Sequence, residues 1–116
     1  MILSEQHQMT RDALRDFSQQ QLAPNAAAWD RDSIFPKDAL KQLARLGAFG
    51  VAVPEEFGGA GLDYLALAIV IEEIAAGDGG TSTIISVNNC PVCSIGMSYA
   101  NDAQKAQWLR PLASGE

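Results

Sequence analysis

Asp63-Tyr64-Leu65-Ala66-Leu67-Ala68-Ile69-Val70-Ile71-Glu72-Glu73-Ile74-Ala75-Ala76-Gly77 is the stretch on which the fold turns. Leu65, Leu67, Ile69, Val70, Ile71 and Ile74 run nearly all the way round a helix of 3.6 residues per turn, which marks a helix buried at the centre of a domain. The β-branched run also fits a buried strand. Asp63 as an N-cap, Gly77 as a stop and a length of roughly 20 Å at 1.5 Å per residue favour the helix, ending near Ala76.

On the N-terminal side, Ser4 is placed to cap a long first helix. Ala13, Leu14, Phe17 and Leu22 form its apolar stripe, and Pro24 stops it. Ala26, Ala27, Ala28 and Trp29 read as a short second helix that ends among Asp30, Arg31 and Asp32. Pro36 suits the first position of a third helix, whose stripe is Ala39, Leu40, Leu43 and Leu46 and whose stop is Gly47. A glycine-rich loop, 48–62, leads into the central helix.

Beyond that helix, Gly77-Asp78-Gly79-Gly80 reads as a turn and 81–89 as helix, with Cys90-Pro91 as a break. Asn101 and Gln104 form a capping box opening a last helix with Ala106, Leu109 and Leu112 on its apolar side. The expectation is an all-α, up-and-down bundle of about six helices forming one domain over residues 1–116.

Composition limits what such a domain can do. The chain has 116 residues, 47% hydrophobic and 19% charged, which suits one globular domain and is too short for a self-contained Rossmann or barrel enzyme. Eight basic residues against fourteen acidic ones give a net charge of −6, which repels phosphate backbones and anionic lipid. Nucleic acid and membrane surfaces are therefore poor partners. The start MILSEQHQMTRDAL has no basic region ahead of an apolar one, as a signal peptide would. Two cysteines without an export signal point to free thiols in a reducing cytoplasm.

Each candidate motif has a plainer reading. Cys90-Pro91-Val92-Cys93 has redox spacing but no βαβ context, and a zinc site would need more ligands than His7 can add. Two small, ordinary thiols are the plainer reading. Gly58-Gly59-Ala60-Gly61 invites a phosphate loop, yet no Gly-Lys-Ser/Thr follows. Glu55, Glu56 and Asp63 also place negative charge where an anion would sit. Glycines at positive φ in a structural turn account for it. Adjacent Glu72 and Glu73 point about 100° apart on a helix and do not converge on one bond. His7 has no visible nucleophile partner in the sequence, and Trp29 and Trp108 read as core or interface anchors. No metal site and no catalytic residue emerges.

A longer pattern adds to this. Ile34-Phe35-Pro36, then Leu43 to Gly47, then Gly50-Val51-Ala52-Val53-Pro54-Glu55-Glu56-Phe57-Gly58-Gly59-Ala60-Gly61 resembles the N-terminal α-helical domain of the flavin-dependent acyl-CoA dehydrogenases, best the short- and branched-chain or general bacterial members. The resemblance continues through Glu72-Glu73-Ile74-Ala75, Ser86-Val87-Asn88-Asn89 and 101–116, covering essentially the whole chain. It implies an oxidoreductase parent with FAD as cofactor, in which this domain precedes a middle β-domain and a C-terminal four-helix domain.

In that scheme the chain stops before the family's Thr/Ser-Glu-Pro and Gly-Ser segments, and the catalytic glutamate lies in the C-terminal domain. Such a parent removes the α-proton of an acyl-CoA while the β-hydrogen leaves as hydride to the flavin. It yields a trans-2-enoyl-CoA in fatty acid β-oxidation and passes electrons to an electron-transfer flavoprotein; the family's full-length members are homo-oligomers, typically tetramers. For this chain the resemblance places Val87, Asn88 and Pro91 on the wall of the acyl pocket, with no cofactor-binding residue. Related flavin monooxygenases and nitroalkane oxidases share the layout. Two other readings remain: a non-catalytic helical interaction module or truncated inactive product, and a C-x-x-C redox protein.

Overall fold

The computed structural model describes residues 2–116, and no strand occurs among them. The central stretch is a helix. α1 spans Glu5–Phe17 and continues through a π-helical turn, Ser18–Leu22; α2 spans Ala26–Arg31 and α3 Lys37–Arg45. The central α4 spans Tyr64–Gly77 and α5 spans Gly79–Val87; the short α6 is Ser94–Tyr99 and α7 covers residues 102–114. α6 is an addition to the helices expected from the sequence.

The cap signals act as read. The Ser4 side chain accepts from His7 N–H, Asp63 from Ala66 N–H, and Asn101 and Gln104 make a reciprocal capping box. Gly47 ends α3 at φ 79°. Two boundaries move. Pro36 stands just outside α3, at ψ 58°, and opens it with its carbonyl, which accepts from Leu40 N–H at 3.0 Å. The glycine turn after α4 shrinks to one residue: Asp78 N–H closes α4 on Ile74 C=O, while the Asp78 carboxylate accepts from the Thr81 N–H and hydroxyl to start α5.

α4 packs against α1 on one side and α5 on the other, burying Ala66, Leu67, Ile69, Val70 and Ile74. Leu14, Leu22, Leu43, Val51 and Ile85 complete this main core, and Trp29 packs at its edge. A second, smaller core joins Val53, Cys93, Leu109 and Ala113. Some stripes rotate from expectation. Ala13 is exposed and Ser18 is buried; Leu46 and Ala106 face outward, Leu112 is 38% exposed, and Ala113 takes the inner position. The reason is close approach: a Cβ on Gly50 would stand 2.8 Å from Ala113 Cβ, so only small residues fit there. Trp108 lies 55% exposed.

α1 and α4 are tied by a charged pair. Arg15 donates from Nε and Nη2 to the two carboxylate oxygens of Glu73 at 3.1 and 2.8 Å, so Glu73 turns inward while Glu72 faces solvent. One turn further on the backbones nearly touch, since a Cβ on Gly77 would overlap Ser18 Oγ and the Ser18 carbonyl. The Ser18 hydroxyl is buried there without a partner.

Gly77→Ala is therefore expected to cost roughly 1–3 kcal/mol through overpacking. Ser18→Ala, which removes an unsatisfied hydroxyl, should change stability by less than about 1 kcal/mol. Urea denaturation of both variants measures the difference; a Gly77→Ala midpoint equal to the wild type would contradict the crossing.

Candidate functional site

At the junction of α5, the 48–51 turn and α7 lies an apolar groove of about 410 Å³. Its carbon surface comes from Phe49, Ile84, Val87, Val92 and Leu112, with Thr83 and Asn88 as the polar members. Val87, Val92 and Leu112 remain 49%, 38% and 38% exposed, leaving an open wall of hydrocarbon. The donors of the polar members are engaged by backbone carbonyls. The Thr83 hydroxyl donates to Gly79 C=O at 3.1 Å, and Asn88 Nδ2 donates to Phe49 C=O at 2.7 Å and Leu112 C=O at 2.9 Å.

The structure thus brings Val87 and Asn88 together at this groove and leaves Pro91 outside it, exposed, while Val92 lines it. The chain leaves helical geometry at Cys90 (φ −146°, ψ 110°), which swings Pro91 out and Val92 in. Asn89, which the sequence reading passed over, is the more deeply placed amide. Its Oδ1 accepts from Val51 N–H at 2.8 Å, and its Nδ2 donates to Ala48 C=O at 2.7 Å and Ile85 C=O at 2.9 Å. Only the Asn-Asn pair at a helix end could have signalled it.

The remaining motifs resolve into structure. In the glycine loop, Gly58 and Gly61 have φ of 85° and 66°, and a Cβ on Gly59 would collide with the Val53 carbonyl. The N–H groups of Gly58, Gly59, Ala60, Gly61 and Leu62 donate to the carbonyls of Glu55, Pro54, Gly50, Val53 and Val51. None of these five N–H groups is left for a phosphate, and Arg110 fastens the loop by donating to Glu56 C=O. Cys90 is exposed and Cys93 buried; burial pushes the Cys93 thiol up to about 11, opposite to what thiol chemistry requires.

His7 gains partners in space. Its Nε2 lies 2.9 Å from Asp63 Oδ1 and its Nδ1 2.8 Å from Ser4 Oγ. A carboxylate only accepts, so Nε2 carries a proton and donates to Asp63. Ser4 and Asp63 are the caps of α1 and α4, so His7 links two helix starts. Asp63 is held below its ordinary 3.8, first by Ala66 N–H and then by His7.

The family model described as "Acyl-CoA dehydrogenase, N-terminal domain" matches residues 4–116. The chain belongs to the acyl-CoA dehydrogenase family. It is 42% identical to the short-chain specific acyl-CoA dehydrogenase of rat mitochondria over 114 residues, covering 98% of this chain and 28% of that protein. Among solved structures, butyryl-CoA dehydrogenase of Megasphaera elsdenii superimposes with a TM-score of 0.88 at 29% identity, over 99% of this chain and 31% of that one. Glutaryl-CoA dehydrogenase of Mycobacterium smegmatis gives 0.89 at 30% identity, over 98% and 30%. The chain thus spans under a third of each of these acyl-CoA dehydrogenases and forms their all-α N-terminal domain.

Two measurements test the site. Asn89→Ala strands buried Val51 N–H and Ala48 C=O and should lower stability by roughly 2–3 kcal/mol, whereas Asn88→Ala, nearer solvent, should cost about 1 kcal/mol. Asp63 has a depressed folded pKa, so its charge stabilises the fold above 3.8 and that contribution drains as pH falls through the lower folded value. Thermal melts should show Asp63→Asn less stable than wild type at pH 7, with the gap closing below pH 3.8.

Proposed function

We propose that this domain is one wall of the acyl pocket in an FAD-dependent dehydrogenase that converts acyl-CoA to trans-2-enoyl-CoA. The observation carrying the reading is the groove at Val87 and Asn88, whose side-chain donors are all bonded to backbone carbonyls. An alkyl chain gains roughly 0.8 kcal/mol per CH₂ buried on such a surface and meets no unpaired donor. Family membership supplies the reaction; the groove supplies the part of the substrate this chain would touch.

The residues present do not fit a flavin site of their own. The N–H groups of residues 58–62 are all bonded to backbone carbonyls, and none of the glutamates stands at the groove. The chain's contribution is to bind the tail and exclude water from it, while the proton- and hydride-transfer groups belong to the rest of the parent. The same reading has electrons passing to an electron-transfer flavoprotein and the parent working as a homo-oligomer, in cytoplasmic fatty acid β-oxidation. Among the described residues no helix is long and apolar enough to cross a membrane.

A chimera tests this directly. Replacing the matching segment of the rat short-chain enzyme with these 116 residues should give a yellow protein that reduces its flavin with butyryl-CoA. This chain alone should neither retain flavin nor turn over. A folded, flavin-loaded chimera that fails on every straight-chain acyl-CoA would overturn the reading.

A further inference from the structure

A second cleft, of about 300 Å³, lies between the turn joining α2 to α3 and the start of α5. Its carbon surface comes from Trp29, Ile34, Phe35 and Ile84, and two carboxylates, Asp30 and Asp78, stand at it. Ile84 is the one residue it shares with the groove described above. The turn is held by its own backbone. Ser33 sits at φ 54°, Ile34 N–H donates to Trp29 C=O at 2.9 Å, and Lys37 N–H donates to Phe35 C=O at 2.8 Å. Ile34 and Phe35 are left 49% and 66% exposed at the cleft.

Neither carboxylate is paired with a cation among the described residues. Arg31, next in sequence to Asp30, turns Nε and Nη2 to Asp32 instead, at 3.0 Å each. No lysine or arginine lines the cleft. Asp78 Oδ2 accepts from the Thr81 N–H and hydroxyl, which leaves Oδ1 toward a ligand. The N-terminus of α5 offsets about half a unit of the Asp78 charge, so exposed Asp30 supplies most of the attraction.

These contents narrow the chemistry of an occupant. An anion meets like charge, and a plain hydrocarbon strips water from the carboxylates without replacing it. A compact inorganic cation keeps its own water and gains little from aromatic carbon. A cation whose charge is spread over carbon answers both surfaces, as aromatic rings and carboxylates do for methylated ammonium groups. We propose that this cleft binds a small organic cation of the methylated-ammonium class, with its carbon against Trp29 and Phe35 and its charge toward Asp30. The volume is at the lower end of small-molecule sites. The proposal stands apart from the acyl-pocket reading, and its failure would leave that reading unchanged.

The test titrates choline and its uncharged carbon isostere, 3,3-dimethylbutanol, into the 116-residue chain at pH 7 and low ionic strength. Two-dimensional NMR follows the Trp29 indole N–H, with Trp108, which does not line the cleft, as internal reference. Choline should shift Trp29 saturably, and the isostere should need a concentration at least about tenfold higher. Asp30→Asn removes the exposed charge and Phe35→Leu removes the exposed ring while keeping carbon; each should lower that ratio at least about threefold in a protein whose remaining signals are unchanged. Equal binding of the two probes would overturn the proposal, as would binding of neither. Unsaturable choline shifts spread over acidic residues outside the cleft would show only a counterion to the net charge of −6 and would overturn it too. So would a ratio that either variant leaves unmoved.

Discussion

Two adjacent carboxamides, Asn88 and Asn89, hold together the seam on which the rest of the domain depends. The 48–51 turn runs through the interior, and the glycine loop pairs only its Gly50 and Val51 carbonyls, so the Val51 N–H and the Ala48 and Phe49 carbonyls are satisfied by side chains. Asn89 takes the Val51 N–H and the Ala48 carbonyl, and Asn88 takes the Phe49 carbonyl together with that of Leu112 on α7. Through these bonds the end of α5, the inner turn and the last helix become one unit. The second core of Val53, Cys93, Leu109 and Ala113 packs beside that seam.

The other half of the domain depends on how α4 is turned about its own axis. A helix that is apolar nearly all round has no amphipathic face to fix its rotation, so hydrophobic burial alone leaves the choice open. Three contacts with α1 make it. Asp63 meets His7 at the start of α4, Glu73 meets Arg15 near its end, and Gly77 admits the Ser18 backbone at its last turn. Each lies about a turn or more from the next, and together they allow one rotation and one offset. The apolar residues between them then fill the space that geometry leaves.

Local signals were legible in the sequence and contacts across it were not. Ser4, Asp63, Asn101 and Gly47 announced helix ends because a cap is made within four residues of itself. The glycine loop was legible as a turn because Gly58 and Gly61 adopt positive φ, as glycine readily does. His7 looked isolated because its partner Asp63 lies 56 positions away. Ala113 displaced Leu112 from the interior through a close approach of Gly50 that no periodicity encodes. Val92 rather than Pro91 lines the groove because one non-helical residue, Cys90, interrupts the helical periodicity ahead of both.

The polarity of the segment around the groove is misleading for the same physical reason. Residues 86–94 read Ser-Val-Asn-Asn-Cys-Pro-Val-Cys-Ser, which by composition would suit a polar site. In place, both asparagine amides donate to backbone carbonyls, the Ser94 hydroxyl donates to Pro91 C=O, and Cys93 is buried. What remains facing the groove is the carbon of Val87 and Val92. The polar side chains create the apolar surface, because holding an irregular turn inside the protein consumes the groups that would otherwise hydrate it. A surface built this way can take up hydrocarbon and shed water, and its side-chain donors are already engaged by the backbone.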